Sequence, residues 1–278
     1  MSINSNGEDE DDLLLTPEED LNLKITQRSI TIHGKVRSLK GMGREQLQVI
    51  DLKIGKQNMG LLSVENVRRY YFWATQFIGL LIVCLTLVHI IQHKNGFGGR
   101  SYPKLEFNWH YIFMMLGFTY FFANALTVFR LMPLLSKQKL KYIHLGTNGA
   151  VIFCAALGLF FVIDERDILG KAHFQSLHSW IGIFTIGLLV VQFILGSVFY
   201  LSPKISLSYK EAMMPWHVKI GISAFILGIG AIITGLKKGS SDSERLLINF
   251  TGAFVIIYCF FILHVLNDTK YKFNYRLR

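Results

Sequence analysis

From Tyr70 onward the chain reads as six long apolar stretches separated by short polar breaks. The stretches run 70–93, 107–131, 142–163, 177–201, 216–236 and 247–267. Each holds about the 20 residues a helix needs to cross a hydrocarbon layer about 30 Å thick. The breaks carry loop chemistry: KNGFGGRSYPK, LMPLLSKQKLK, DERDILGKAH, LSPKISLSYKEAMMP and KKGSSDSE. In lipid a backbone must satisfy its own polar groups, so uninterrupted runs of this length predict helices, none with a proline inside. The expected fold class is an all-α membrane protein of six transmembrane helices.

The residues before these stretches are different material. They open Met1-Ser-Ile-Asn-Ser-Asn-Gly, run through the acidic block Glu8-Asp-Glu-Asp-Asp12, and lack the basic and apolar regions of a cleavable signal peptide. Residues 29–54 alternate briefly as strands do, with too little apolar content to bury a core. The expected organisation is a largely disordered acidic arm over 1–66, a membrane domain over 67–267, and a basic tail over 268–278. Lys and Arg near the helix ends number twelve on the side of the termini and eight on the other, which predicts both termini in the cytosol.

Composition supports the membrane reading. Hydrophobic residues make up 51% of the 278 and charged residues only 17%, against about 25% in soluble proteins. The net charge of +10 is spread over short clusters between apolar runs, as in loops held at an anionic lipid surface. With no base-reading motif present, nucleic acid is excluded as a partner. The three cysteines (Cys84, Cys154 and Cys259) lie inside apolar runs with no CxxC or CxxCH. A disulfide framework, a thiolate zinc site and covalent haem attachment are therefore not expected.

Four of the nine histidines form a register. His110, His144, His178 and His217 each stand near the start of helices two to five, at separations of 34, 34 and 39 residues. Successive spans run in opposite directions, so His110 and His178 belong near one membrane face and His144 and His217 near the other. Two imidazole pairs in opposite halves of a four-helix core predict two six-coordinate haems, non-covalently bound haem b, with these four histidines as axial ligands. Gly182 and Gly221, four residues after a histidine, and Gly117, seven after His110, would leave room for a flat macrocycle. Two ligands with no open position suit electron transfer. His89 and His93 are spaced i,i+4 but lack an evident third ligand, and His33 and His264 read as structural or solvated.

The residues around this register resemble the eukaryotic cytochrome b561 family. They are Phe107-Asn-Trp-His110 and Ala125-Leu-Thr-Val-Phe-Arg130 at the two ends of helix two, and Lys137-Gln-Lys-Leu-Lys-Tyr-Ile-His144 leading into helix three. Ser176-Leu-His-Ser-Trp180 opens helix four, Pro215-Trp-His217 helix five, and Leu247-Ile-Asn-Phe-Thr-Gly252 helix six. The resemblance covers about 70–267. It implies a transmembrane ascorbate-dependent reductase, with ascorbate as cytosolic electron donor and monodehydroascorbate or a ferric chelate as acceptor. It also implies substrate contacts at Arg130, Lys137 and Lys141 on the inner side, where cations would attract an anionic enolate. On the outer side His173 is the candidate, with Phe174 beside it; Lys210 falls on the inner side.

In the arm, Asp9 precedes Leu13-Leu14 by four residues and Glu10 precedes Leu14-Leu15 by four, which fits an acidic dileucine sorting signal. The expected partner is a clathrin adaptor and the expected location an endosomal or lysosomal membrane. Membrane lipid and a second copy of the chain, as a homodimer, complete the expected partners. Asn249-Phe-Thr251 is a formal glycosylation acceptor at the start of a span. A rival reading is a haem-free transporter or metal-binding protein whose histidines line a proton or metal path. Histidines placed toward the two faces, and spans without proline, weigh against it. A third reading keeps one structural haem in a sorting or scaffold protein.

Overall fold

The computed structural model describes residues 24–26, 29–32, 35–38, 44–236 and 241–268. The chain divides into two compact units, one of residues 1–66 with 274–278 and one of 67–273. The dileucine residues Asp9, Glu10, Leu13, Leu14 and Leu15 lie outside the described residues, as does His33.

In the first unit the strand-like alternation becomes a three-stranded antiparallel meander, β1 (Lys24–Thr26), β2 (Ser29–Ile32) and β3 (Lys35–Ser38), in the order β1-β2-β3. Ile25 pairs with Ile30 and Thr31 with Val36. Backbone pairing needs no large core, which is why weakly apolar residues form it. The helix α1 (Arg44–His93) starts well before the expected Tyr70. Its first turns are rich in Glu, Gln, Leu and Lys, good helix formers that a search for apolar runs passes over.

Among the described residues six helices are long and apolar enough to cross a membrane. The first span is Leu62–His93 of α1. The second is assembled from a single turn α2 (Pro103–Glu106), then α3 (Asn108–Met115), a π-helical segment Leu116–Phe121, and α4 (Phe122–Leu131). The others are α5 (Lys137–Ile168), α6 (Leu177–Leu201), α7 (Leu207–Gly235) and α8 (Asp242–Asn267). One expectation needs correction: α7 begins at Leu207, so Pro215 lies inside it rather than before it. A helix in lipid tolerates the lost hydrogen bond where neighbouring groups re-satisfy the freed carbonyl.

Segments α3 and α4 pack on α5, α5 on α6, α6 on α7, and α7 back on α4, which closes a four-helix ring. Helix α8 lies against α4 and α7. Helix α1 joins through the Tyr258 hydroxyl, which donates to the Thr75 carbonyl at 3.0 Å, and through Gln76, whose amide donates to Asn124 at 2.6 Å. The centre is aromatic: Phe122, Phe225 and Tyr258 are buried, with Phe122 edge-on to Phe225 at 5.6 Å. A methyl at Gly228 would come within 2.5 Å of the Phe118 ring, so glycine is what lets α7 approach the π segment. Buried threonines at 75, 86, 119 and 127 return their hydroxyls to the carbonyl four residues earlier, so these donors are satisfied within their own helices. Trp73, Phe77, Phe153, Phe184 and Phe260 are exposed on the outside of the bundle.

Candidate functional site

Each of the four register histidines is placed by how its helix begins. His178 is the second residue of α6, which opens with a capping box in which the Ser176 hydroxyl accepts from the Ser179 N–H and the Ser179 hydroxyl answers the Ser176 N–H. His144 lies two turns into α5, which starts at the N-cap Ser136. His110 is the third residue of α3, and His217 follows Pro215 in α7.

The structure brings these histidines together in two facing pairs. The ring centres of His110 and His178 are 6.1 Å apart, and so are those of His144 and His217. A histidine nitrogen binds a transition metal at about 2 Å and its ring centre stands ~1 Å behind, so two imidazoles sharing one ion would have centres about 6 Å apart. All four Nδ1 atoms are engaged: His110 on the Gly158 carbonyl at 2.9 Å, His144 on Ala125 at 2.7 Å, and His178 on Ala231 at 2.7 Å. His217 donates to the Gln192 side-chain oxygen at 3.1 Å, and the Gln192 amide donates back to the His217 carbonyl at 2.7 Å. Every Nδ1 faces an acceptor and so carries the proton, which leaves each Nε2 lone pair for a metal.

Gly158 lies fourteen residues after His144 on α5, and Ala231 fourteen after His217 on α7. At 1.5 Å per residue both place the two pairs about 21 Å apart along the bundle. Among the described residues no group of three or more His, Cys, Asp or Glu is placed to hold a metal ion. A metal at either pair would take two protein ligands and bring its other donors with it, as a porphyrin does. A largely apolar cavity of about 400 Å³ adjoins the His110–His178 pair, walled by Phe107, Met114, Phe118 and Gly182 and ringed at one side by Arg166, His173 and Ser176. The donor set and the cavity fit a flat macrocycle.

The glycine expectation is corrected in part. Gly182 meets nothing within 4 Å and lines the cavity, but a methyl on Gly117 would touch Cys154 of α5 at 3.0 Å. His110 and Gly117 both face α5, where the space at Gly117 is taken by Cys154. A methyl on Gly221 would make ordinary contacts with Gln192 and Leu126. The glycines that make room are ones the spacing did not single out: a methyl on Gly235 would fall 2.6 Å from the His178 ring, and one on Gly196 3.1 Å from that of His217.

At the His144–His217 end, the Lys141 ammonium donates to the Tyr200 carbonyl and Lys210 to that of Ser202, both at 2.8 Å, which satisfies the carbonyls at the end of α6. Lys137 and Lys210 are the charged neighbours of Lys141, and Tyr200 lies 5.2 Å from the His217 ring. Arg130 donates to the Asp268 carbonyl at 2.8 Å. At the other end His173 pairs with Asp167 at 2.8 Å while lining the cavity with Phe174. His264 lies 3.3 Å from the Tyr71 hydroxyl, and Asn249 falls within α8.

The family model for eukaryotic cytochrome b561 matches residues 109–241, which contain all four histidines. Ascorbate-specific transmembrane electron transporter 1 of Zea mays is 31% identical over 199 residues, 68% of this chain and 84% of the relative. Transmembrane ascorbate-dependent reductase CYB561 of Mus musculus is 30% identical over 220 residues, 76% of this chain and 87% of the relative. The chain belongs to the eukaryotic cytochrome b561 family. Membership of the cytochrome b561 family implies haem b.

Arg166 and Gln192 were missed in the sequence. Arg166 looks like any loop cation until the fold sets it at the cavity rim, where it also donates to the Ala172 carbonyl at 2.6 Å. Gln192 left a signal, as a lone amide in the apolar run LLVVQFILG. Loss of a group that orients a metal-bound histidine costs about 10–100-fold in affinity. Gln192→Leu is therefore expected to weaken haem retention at the His144–His217 pair by that factor, read by competition with a haem-scavenging protein. The His110–His178 pair keeps its haem.

Proposed function

We propose that the protein carries single electrons across a membrane through two haem b groups, held by His110 with His178 and by His144 with His217. Ascorbate is the donor at the His144–His217 face, and monodehydroascorbate or a ferric chelate is the acceptor at the other. The observation that carries this reading is the pair of facing imidazoles at each end of one bundle, 6.1 Å between ring centres in both, with every Nδ1 already bonded. The maize and mouse relatives, an ascorbate-specific electron transporter and an ascorbate-dependent reductase, supply the ascorbate.

Haem supplies the one-electron redox couple; the chain's own residues bind, orient and insulate it. The Nδ1 bonds hold each ring to one orientation and enrich the opposite nitrogen as a ligand. Phe107, stacked on His110 at 5.6 Å, and Phe118 exclude water from the His110–His178 cavity. Arg166, Ser176 and Ser179 at its rim offer donors to the carboxylate side groups of a haem. Lys137 and Lys141, with Arg130, give the other face a positive field that draws an anionic enolate toward His144 and His217. The Lys and Arg distribution supports both termini in the cytosol, which makes the ascorbate face cytosolic and leaves His173 at the lumenal site. The acidic dileucine residues address the protein to an endosomal or lysosomal membrane through a clathrin adaptor, and the chain pairs as a homodimer.

The deciding experiment is a reduced-minus-oxidised optical spectrum of purified full-length protein, with haem counted per chain, before and after ascorbate. Two low-spin b haems reduced by ascorbate are expected. Folded protein that takes up no haem when haem is supplied overturns the reading in favour of a transport or metal-binding role. One haem per chain points instead to a structural cofactor. A lesser effect is expected for the field: Lys137→Ala raises the ascorbate KM about five-fold, the worth of ~1 kcal/mol of exposed ion pairing, with kcat kept and the difference shrinking as salt is added.

A further inference from the structure

Beside the large cavity lies a second, smaller one of about 60 Å³, mostly apolar in its lining but with a few polar groups on its wall, which has no part in the electron path above. It is lined by Thr86, His89, Lys94, Tyr111, Met115, Leu236, Ile248 and Thr251. Tyr111, Met115 and Leu236 also line the cavity of the His110–His178 pair, so one layer of side chains separates the two spaces. At about 30 Å³ per molecule the chamber has room for about two waters, and its threonine, tyrosine and lysine groups can hold them.

Glu244 anchors the chamber. Its side chain is 4% exposed, its Oε1 accepts from the Lys94 ammonium at 2.5 Å, and the His89 Nε2 lies 4.0 Å from the same oxygen. Nδ1 of His89 is buried with no hydrogen-bond partner among the described residues. With its Nε2–H turned toward the carboxylate, neutral His89 leaves a buried lone pair on Nδ1, an unusual thing for a protein to keep. Among the described residues the charged or titratable groups beside His89 are Glu244 from α8 and, at the end of α1, Lys94, which is bonded to that carboxylate, and His93, whose ring centre is 5.8 Å away. Tyr111 comes from α3, and among the described residues the end of α7 contributes the uncharged Leu236 to the chamber. A further negative charge arriving in the adjoining low-dielectric space adds to that of Glu244 and favours a proton on His89.

Resting on the two-centre reading above, we infer that the His89–Glu244–Lys94 chamber is a proton-accepting site coupled to the neighbouring redox centre. One electron arriving at the centre held by His110 and His178 draws one proton onto Nδ1 of His89. The proton comes from the aqueous phase at that end, which the chamber reaches through Lys94, whose side chain is 36% exposed. When the electron leaves to a one-electron oxidant, the proton leaves too, and the charge in the buried layer returns to its starting value. His89 is a positioning residue for charge, and it touches neither the donor nor the iron ligands.

The test is a potentiometric titration of full-length, haem-loaded protein between pH 5.5 and 8.5, following each centre by its own absorption. The centre whose signal vanishes in His178→Ala is the one beside the chamber; the centre lost in His217→Ala is the internal reference. The expected result is a reduction equilibrium that falls tenfold per pH unit over the His89 window at the first centre, about 59 mV per unit for one electron. The reference centre shows no such slope. His89→Gln abolishes the slope with both haems still bound. Glu244→Gln moves the window to lower pH, because His89 loses the anion that favours its protonated form while Lys94 remains. Should His89→Gln fail to accumulate, the direction of the Glu244→Gln shift decides alone. A wild-type centre without the slope, a slope that survives His89→Gln, or a window unmoved in Glu244→Gln overturns the proposal. Haem counted in the same samples separates that outcome from failure of the two-centre reading, which would show as fewer than two haems in the wild type.

Discussion

Replacing His178 by alanine is expected to lower the haem content from about two per chain to about one and to abolish electron transfer across the membrane. The two histidine pairs share no residue and stand about 21 Å apart along the bundle, so loss of one leaves the other's ligands, hydrogen bonds and packing in place. His178 is held by its bond to the Ala231 carbonyl and by the capping box at the start of α6, and the substitution leaves that cap intact. His217→Ala is the mirror experiment at the other end, where the partner left behind is His144. Each variant should keep one low-spin signal, and the two residual spectra should sum to that of the wild type. Ascorbate should still reduce the centre kept by His178→Ala, since the cationic face near His144 is untouched. In His217→Ala that reduction should fail, because the remaining centre lies at the far end. Loss of both signals in either variant would mean that the pairs are not independent sites.

The two features most plainly written in the sequence, the six spans and the four-histidine register, both follow from repetition. A helix that crosses lipid must be apolar for about 20 residues, and a histidine near the start of four consecutive helices recurs at the length of a helix plus a loop. What holds the histidines leaves no such trace. Three of the four Nδ1 bonds go to backbone carbonyls at Gly158, Ala125 and Ala231, and every residue has a carbonyl, so nothing in residue type marks these three positions. Gln192 differs, because it holds His217 through a side chain that is conspicuous in an apolar run. The misplaced ends of α1 and α7 have a related cause. Hydropathy reports where lipid begins, whereas the helix continues through polar residues such as Ser208-Tyr-Lys-Glu211 and through Pro215. Gly117 misled for a local reason: it faces α5 as His110 does, but the room there is filled by Cys154 of that helix, which spacing alone cannot show.

Gly235→Val should nearly match a ligand deletion although Gly235 ligates nothing. A methyl at this position would already lie 2.6 Å from Cε1 and 2.7 Å from Nδ1 of His178, inside any real contact. The flexible end of a long side chain could swing aside, but this ring cannot do so cheaply. Its Nδ1 is bonded to Ala231, one turn earlier on the same helix, so moving the ring away from Gly235 breaks the bond that orients it. Valine adds two further carbons and a stiff rotamer to the collision. The expected result is loss of the haem at the His110–His178 pair, with the His144–His217 signal unchanged and the helical content of the protein kept. Gly182→Ala supplies the contrast. A methyl there meets no protein atom within 4 Å but projects from the wall of the 400 Å³ cavity, so any loss of haem it causes reports a clash with the cofactor itself. The two glycines thus separate the space a ligand ring needs from the space its cofactor needs. If Gly235→Val keeps both haems, the α6–α7 approach is looser than these distances require, and His178 is not held by the backbone in the way described.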